Sequence, residues 1–212
     1  MNGQRARSTW VVLAVGLVGC GSLSASRRET MTFEETAIFH PTRYPEGDWE
    51  TKATALQDAW FDSADGVRLH GWYAEARNPR AVVLFAHGNA GSIADRRWVL
   101  DLFRDRLEAS VLVFDYRGYG RSGGTPSERG VLADARAARR WLADRAGTEE
   151  AGLVLAGESL GGGVAVDLAA KDGARGLVLI NTFSSLPDVA SSHFRPLPAR
   201  LLMTTRLDSV AK

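Results

Sequence analysis

The stretch Leu153-Val154-Leu155-Ala156-Gly157-Glu158-Ser159-Leu160-Gly161-Gly162-Gly163-Val164 decides how this chain is read. Four apolar residues lead into Gly-Glu-Ser-Leu-Gly, and Val164 and Leu168, four apart, set a helical face beyond it. That is the strand, turn and helix context of a G-x-S-x-G nucleophile elbow. Glycines permit the sharp turn that lifts the Ser159 hydroxyl above a sheet, and a helix opening there presents unpaired N–H groups to a developing negative charge. The plainer reading, a glycine-rich helix start with an incidental serine, does not account for the strand in front of it.

Working outward, three more apolar runs have no polar face: Ala81-Val-Val-Leu-Phe-Ala86, Ser110-Val-Leu-Val-Phe114 and Gly176-Leu-Val-Leu-Ile180. Strands covered on both sides have this composition, as in a parallel sheet flanked by helices. Helical periods lie between them. Trp98, Val99, Leu102, Phe103 and Leu107 share one face, as do Val131, Leu132, Ala135, Ala138, Trp141 and Leu142, with Ser127 as the expected N-cap of the second helix. Upstream, Leu56 to Phe61 and Val67 to Tyr73 flank Ser63-Ala64-Asp65-Gly66 and predict a β-hairpin. The alternation implies an open α/β sheet with right-handed crossovers.

Two further loops follow strands. His87-Gly88-Asn89 sits where half of an oxyanion hole is expected, with the Asn89 N–H as one donor and the Leu160 N–H, just after the nucleophile, as the other. His87 as a general base is the competing reading of the same loop. Asp115-Tyr116-Arg117-Gly118-Tyr119-Gly120-Arg121-Ser122-Gly123 contains a literal G-x-G-x-x-G, but Thr125-Pro126 separates it from the next helix and no acid ends a strand about 20 residues on. A dinucleotide site is therefore rejected, and Asp115 and Arg117 are expected to brace the loop. Trp49, Trp60 and Trp72 are expected as core or surface aromatics and not as substrate platforms.

Composition sets the remaining limits. At 212 residues and 45% hydrophobic, the chain can bury one substantial core. Its formal charge is +1, and without residues 1–19, which carry Arg5 and Arg7 and no acid, 24 basic residues face 25 acidic ones. Nothing in that balance favours nucleic acid as a partner. The four His and single Cys lack metal-ligand spacing, and one Cys forms no internal disulfide. Arg5 and Arg7 precede an apolar run from Trp10 to Val18, too short for the roughly 20 residues that span a bilayer and suited to an export signal. It closes on Leu17-Val18-Gly19-Cys20, which resembles a bacterial lipobox. On that reading residues 1–19 are a signal peptide, the Cys20 thiol carries a diacylglycerol thioether, and several acyl chains hold the protein in a bacterial envelope membrane. Gly21 in place of an acid then fits the outer membrane, facing the periplasm. An ordinary signal cleaved near Ala25, or a chance Cys, is the alternative. Residues 20–55 read as a polar tether and lead-in, 56–182 as the core and 183–212 as the start of a cap.

Taken together, A-H-G-N-A-G at 86–91, D-Y-R-G-Y-G-R-S at 115–122, G-E-S-L-G-G at 157–162 and N-T-F-S-S at 181–185 resemble the α/β-hydrolases, in the branch around serine aminopeptidase-like and lysophospholipase-like proteins. The resemblance covers about residues 56–185. It implies hydrolysis of a small acyl ester or peptide amide through an acyl-enzyme on Ser159, with no cofactor and no metal. It also implies an acid and a His after two later strands, which the sequence does not reach before Lys212. Arg206 to Lys212 resembles the helix leading into the acid's strand. A substitute triad of Ser159, Asp188 and His193 is conceivable, although a five-residue spacing gives no reason for correct geometry. The expectation is a membrane-anchored serine hydrolase whose chain here is C-terminally truncated. Such a chain would leave a sheet edge open to pairing with another chain. A non-catalytic lipoprotein on a decayed scaffold is the alternative.

Overall fold

The four apolar runs are strands, as their composition requires. The structure, a computed structural model, describes residues 30–50, 56–193 and 203–209; Cys20 and the apolar leader lie outside them. In chain order the elements are α1 (Phe33–Ile38), β1 (His40–Pro41), β2 (Leu56–Asp62), β3 (Arg68–Ala74), β4 (Ala81–Ala86), β5 (Ala90–Gly91), α2 (Arg97–Leu100), β6 (Ala109–Phe114), α3 (Glu128–Ala146), β7 (Val154–Glu158), α4 (Leu160–Asp172), β8 (Gly176–Ile180) and α5 (Leu186–His193). Six strands form one sheet in the order β2-β3-β6-β4-β7-β8; β3 runs antiparallel to β2 and to β6, and the rest are parallel.

Alternate residues of each buried strand feed two cores. Leu84, Leu112, Phe114 and Leu155 meet Val131, Ala135, Leu142, Val164 and Leu168 of α3 and α4. Val83, Phe85, Val111, Val113 and Ala156 meet Ile93, Val99, Leu100 and Phe103 on the opposite face. This is why the runs lack a polar side. The expected hairpin forms, with Leu56 against Ala74 and Asp62 against Arg68, and α3 is capped by Ser127, whose hydroxyl accepts the Gly130 amide.

Three segments depart from the sequence-based expectation. The helix holding Val99 and Phe103 is α-helical only over Arg97–Leu100; Asp101–Arg106 winds as a π-helix, closed by Leu107 N–H donating to Leu102 O at 3.0 Å. The wider turn rotates Leu107 away from the buried face, leaving it 51% exposed. The lead-in is not merely a tether: Ile38 and Phe39 join the core, and β1 pairs in parallel with β5, His40 opposite Ala90. Finally, Met203–Ser209 is not helical. Glu34 accepts the Thr204 and Thr205 amides at 3.0 and 2.6 Å, and Glu128 accepts those of Arg206 and Leu207 at 3.1 and 2.9 Å. Carboxylates from α1 and α3 thus take the amide protons a helix would use, and Leu207 is drawn into the core.

The D-Y-R-G-Y-G loop is braced as expected. Arg117 donates to both Asp134 oxygens at 2.8 to 3.1 Å, to Asp65 at 2.7 Å and to Ser63 at 3.2 Å, joining the loop to α3 and to the hairpin turn. At the far side of the sheet, β8 pairs only with β7 among the described residues, and Leu177, Val178 and Leu179 are 40%, 40% and 43% exposed. Because Asp134 is fully buried, Asp134→Ala should cost about 3 kcal/mol in urea unfolding by removing the buried partner of the guanidinium, which keeps only Ser63 and the more exposed Asp65. Adding Arg117→Met should return a substantial part of that loss, whereas additive losses would contradict a coupled pair.

Candidate active site

Ser159 stands between the end of β7 and the start of α4 with φ 51° and ψ −113°, a conformation costing about 1–3 kcal/mol for a residue with a side chain. Three hydrogen bonds hold it: Ser159 N–H donates to Ile180 O at 2.9 Å, Gly162 N–H donates to Ser159 O at 3.0 Å, and the Thr182 hydroxyl donates to the same oxygen at 3.0 Å. Glycines are required where the turn is crowded. A Cβ on Gly157 would strike the Gly161 carbonyl, and one on Gly161 would strike the Ala86 carbonyl. Closeness of that order draws the elbow against the end of β4.

The loop after β4 lies beside it; a Cβ on Gly88 would sit 3.7 Å from Ser159 Cβ. The His87 ring lies within hydrogen-bonding distance of Gly88 O, with Nδ1 at 2.7 Å, so Nδ1 carries the proton, since a carbonyl only accepts. A trans peptide points its N–H opposite to its C=O, so this bond turns the Asn89 N–H away from the His87 ring. Tyr116 and Tyr119 hydroxyls donate to His87 O at 2.9 Å and Asn89 O at 2.7 Å, and the Asn89 side chain donates to Ile38 O at 2.8 Å. Neither the Asn89 nor the Leu160 amide has a partner among the described residues. The structure thus sets Ser159 beside Gly88, and the two expected donor amides, Asn89 and Leu160, each follow one of these residues in the chain.

His87 is fully buried, and loss of solvation, with the Arg96 charge adding to it, pushes its pKa down to about 3. A neutral ring already spent on Gly88 is not a base for Ser159. Its Nε2 lies 3.7 Å from Asp115 Oδ1, beyond hydrogen-bond distance. Burial raises the Asp115 pKa to about 8, so this close pair is uncharged on both sides near neutrality. Of the other candidates, Asp188 lies in the first turn of α5, where it accepts the Ser184 hydroxyl at 3.0 Å, and the His193 side chain lies outside the described ones. The sequence motifs pointed to Ser159, Asn89 and Leu160; they did not single out Thr182, Tyr116 or Tyr119 as the groups that fix them.

A family model described as the α/β hydrolase fold matches residues 81–209. The chain belongs to the α/β-hydrolase fold family. An uncharacterised protein of Mycobacterium tuberculosis strain CDC 1551 is 36% identical over 214 residues, covering all of this chain and 74% of that protein. An α/β hydrolase from Vibrio vulnificus superposes with a TM-score of 0.63 at 24% identity, over 86% of this chain and 64% of the other. The esterase Pf2001 from Pyrococcus furiosus gives a TM-score of 0.62, also at 24% identity, over 77% of this chain and 64% of that one. This chain thus spans about three quarters of the mycobacterial relative and just under two thirds of the two solved hydrolases.

The Asp115 carboxyl makes this α/β-hydrolase site pH-sensitive in a defined direction. It keeps its proton up to about 8 when folded but ionises near 4 when unfolded, so its contribution to stability falls as pH rises from about 4 towards 8. Asp115→Asn keeps an acceptor for the Ile93 amide and removes the titration. Urea unfolding at pH 5, 6.5 and 8 should show the variant gaining on the parent chain as pH rises. A constant difference would contradict a neutral Asp115.

Proposed function

We propose that this protein is a serine hydrolase that cleaves acyl esters or amides through an acyl-enzyme on Ser159. The observation that carries the proposal is the strained Ser159 backbone beside Gly88, with the Asn89 and Leu160 amides unpartnered among the described residues. Attack of Ser159 Oγ on a carbonyl carbon moves negative charge onto the carbonyl oxygen. Two fixed N–H donors meet that charge without having to reorganise, an effect worth about 3 kcal/mol per donor in acyl transfer. The resemblance at residues 86–91, 115–122 and 157–162 favours the serine aminopeptidase-like and lysophospholipase-like branch, and the lipobox-like Leu17 to Cys20 favours a lipid anchor in a bacterial envelope membrane.

A second reading, a binding protein on this scaffold, rests on the imidazoles. Among the described residues, His87 binds Gly88 O, His70 pairs with Asp58 at 2.8 Å and His40 bonds Ala37 O at 3.1 Å. None of these rings is placed to take the Ser159 proton, and without a base a serine hydroxyl is a weak nucleophile. The exposed β8 residues support pairing of that edge with a further strand.

Fluorophosphonate labelling, with p-nitrophenyl acetate turnover recorded beside Ser159→Ala, separates the readings. An activated ester is the right first substrate because its leaving group departs unprotonated. The hydrolase reading predicts labelling at Ser159 and turnover well above that of Ser159→Ala. A folded sample that shows no Ser159-dependent labelling would favour the binding protein. Rapid turnover would place a working base within these residues.

A further inference from the structure

The two proposed oxyanion donors belong to different loops, so their separation depends on what ties one loop to the other. Tyr116, Tyr119 and Asn89 fasten the first loop to β6's exit and to the end of α1, and Thr182 fastens the elbow to the exit of β8. Among the described residues, one side chain is hydrogen-bonded to both. Arg96, just after the short 3-10 turn Ile93–Asp95, donates from Nε to Glu158 Oε2 at 2.9 Å and from Nη2 to Ala90 O at 3.3 Å. Glu158 immediately precedes Ser159, and Ala90 immediately follows Asn89. The guanidinium is close in: its Nη2 lies 3.6 Å from where a Cβ on Gly88 would stand. The side chains of Arg96 and Glu158 are only 15% and 27% exposed, so water and salt screen the contact less than a surface pair.

We propose that Arg96 and Glu158 are positioning residues that set the spacing between the Asn89 and Leu160 amides. The proposal rests on the reading of those amides as the oxyanion hole. A planar fork suits the task, because Nε and Nη2 engage two acceptors in fixed directions, whereas a lysine ammonium in the same place is a point charge on a flexible stem. The spacer acts on the charged oxygen of the transition state, and substrate in its ground state makes little use of it. Its loss therefore appears in the rate of bond formation and not in affinity.

The test measures kinact and KI for a fluorophosphonate probe on the full chain and on Arg96→Met, Arg96→Lys and Glu158→Gln, with hydrogen exchange of peptides covering 87–91 and 158–162. Arg96→Met should lower kinact about tenfold with KI within twofold, and should raise exchange in both loops. Arg96→Lys should not restore the rate. Glu158→Gln, which keeps an acceptor oxygen, should retain most of it, and it carries the test if Arg96→Met does not fold. A loss through KI would make Arg96 a binding group instead and overturn the proposal, as would an unchanged kinact. Should the parent chain fail to label at Ser159, the hydrolase reading fails separately. Exchange then still decides, because unchanged protection of both loops in Arg96→Met would remove the spacer.

Discussion

The carbonyl of Ile180 accepts the Ser159 amide, and the Thr182 hydroxyl donates back to the Ser159 carbonyl. These two bonds fasten a turn that has positive φ at a residue with a side chain, and everything proposed for the site depends on that turn. They are available only because β8 lies parallel to β7 with Glu158 opposite Ile180, so that both strands end at the same level. On its other flank the turn is pressed onto the end of β4, where Gly161 has no room for a methyl group against Ala86. The elbow is thus a product of three parallel strands, and its strain is held by the sheet and not by the loop itself.

Much of this was legible in the residues. Wholly apolar runs marked the strands, because a strand covered on both faces needs no polar side, and the two separate cores show where alternate residues go. The glycine spacing around Ser159 marked the elbow, since close backbone approach excludes other residues at Gly157 and Gly161. What was not legible is equally physical. The π-helical winding of Asp101–Arg106 leaves no trace in an apolar period read at helical spacing. The path of Met203–Ser209 is set by Glu34 and Glu128, the former about 170 residues away, and no local pattern encodes such a partner. The roles of Tyr116, Tyr119 and Arg96 were hidden for the same reason: each acts by touching a carbonyl from another segment.

Polar groups inside this domain follow two different solutions. Arg117 and Asp134 are close and multiply bonded: burial pushes the Asp134 carboxyl up, the guanidinium opposes that push, and each meets the demand of the other. His87 and Asp115 lie nearby but do not bond, and burial leaves both neutral. The second solution suits a loop proposed to supply an oxyanion donor. A protonated imidazole there would demand a counter-charge, whereas a neutral ring with its proton fixed on Nδ1 orients one peptide and leaves the field to the amides.

The central claim is that the Asn89 and Leu160 amides converge on charge developing next to Ser159. Its most direct test is a crystal structure of the Ser159 phosphonate adduct. The account predicts one phosphonyl oxygen at about 2.7–3.1 Å from both amide nitrogens, the range for such donors. An adduct whose oxygens all point to solvent, with both amides still unpartnered, would contradict it.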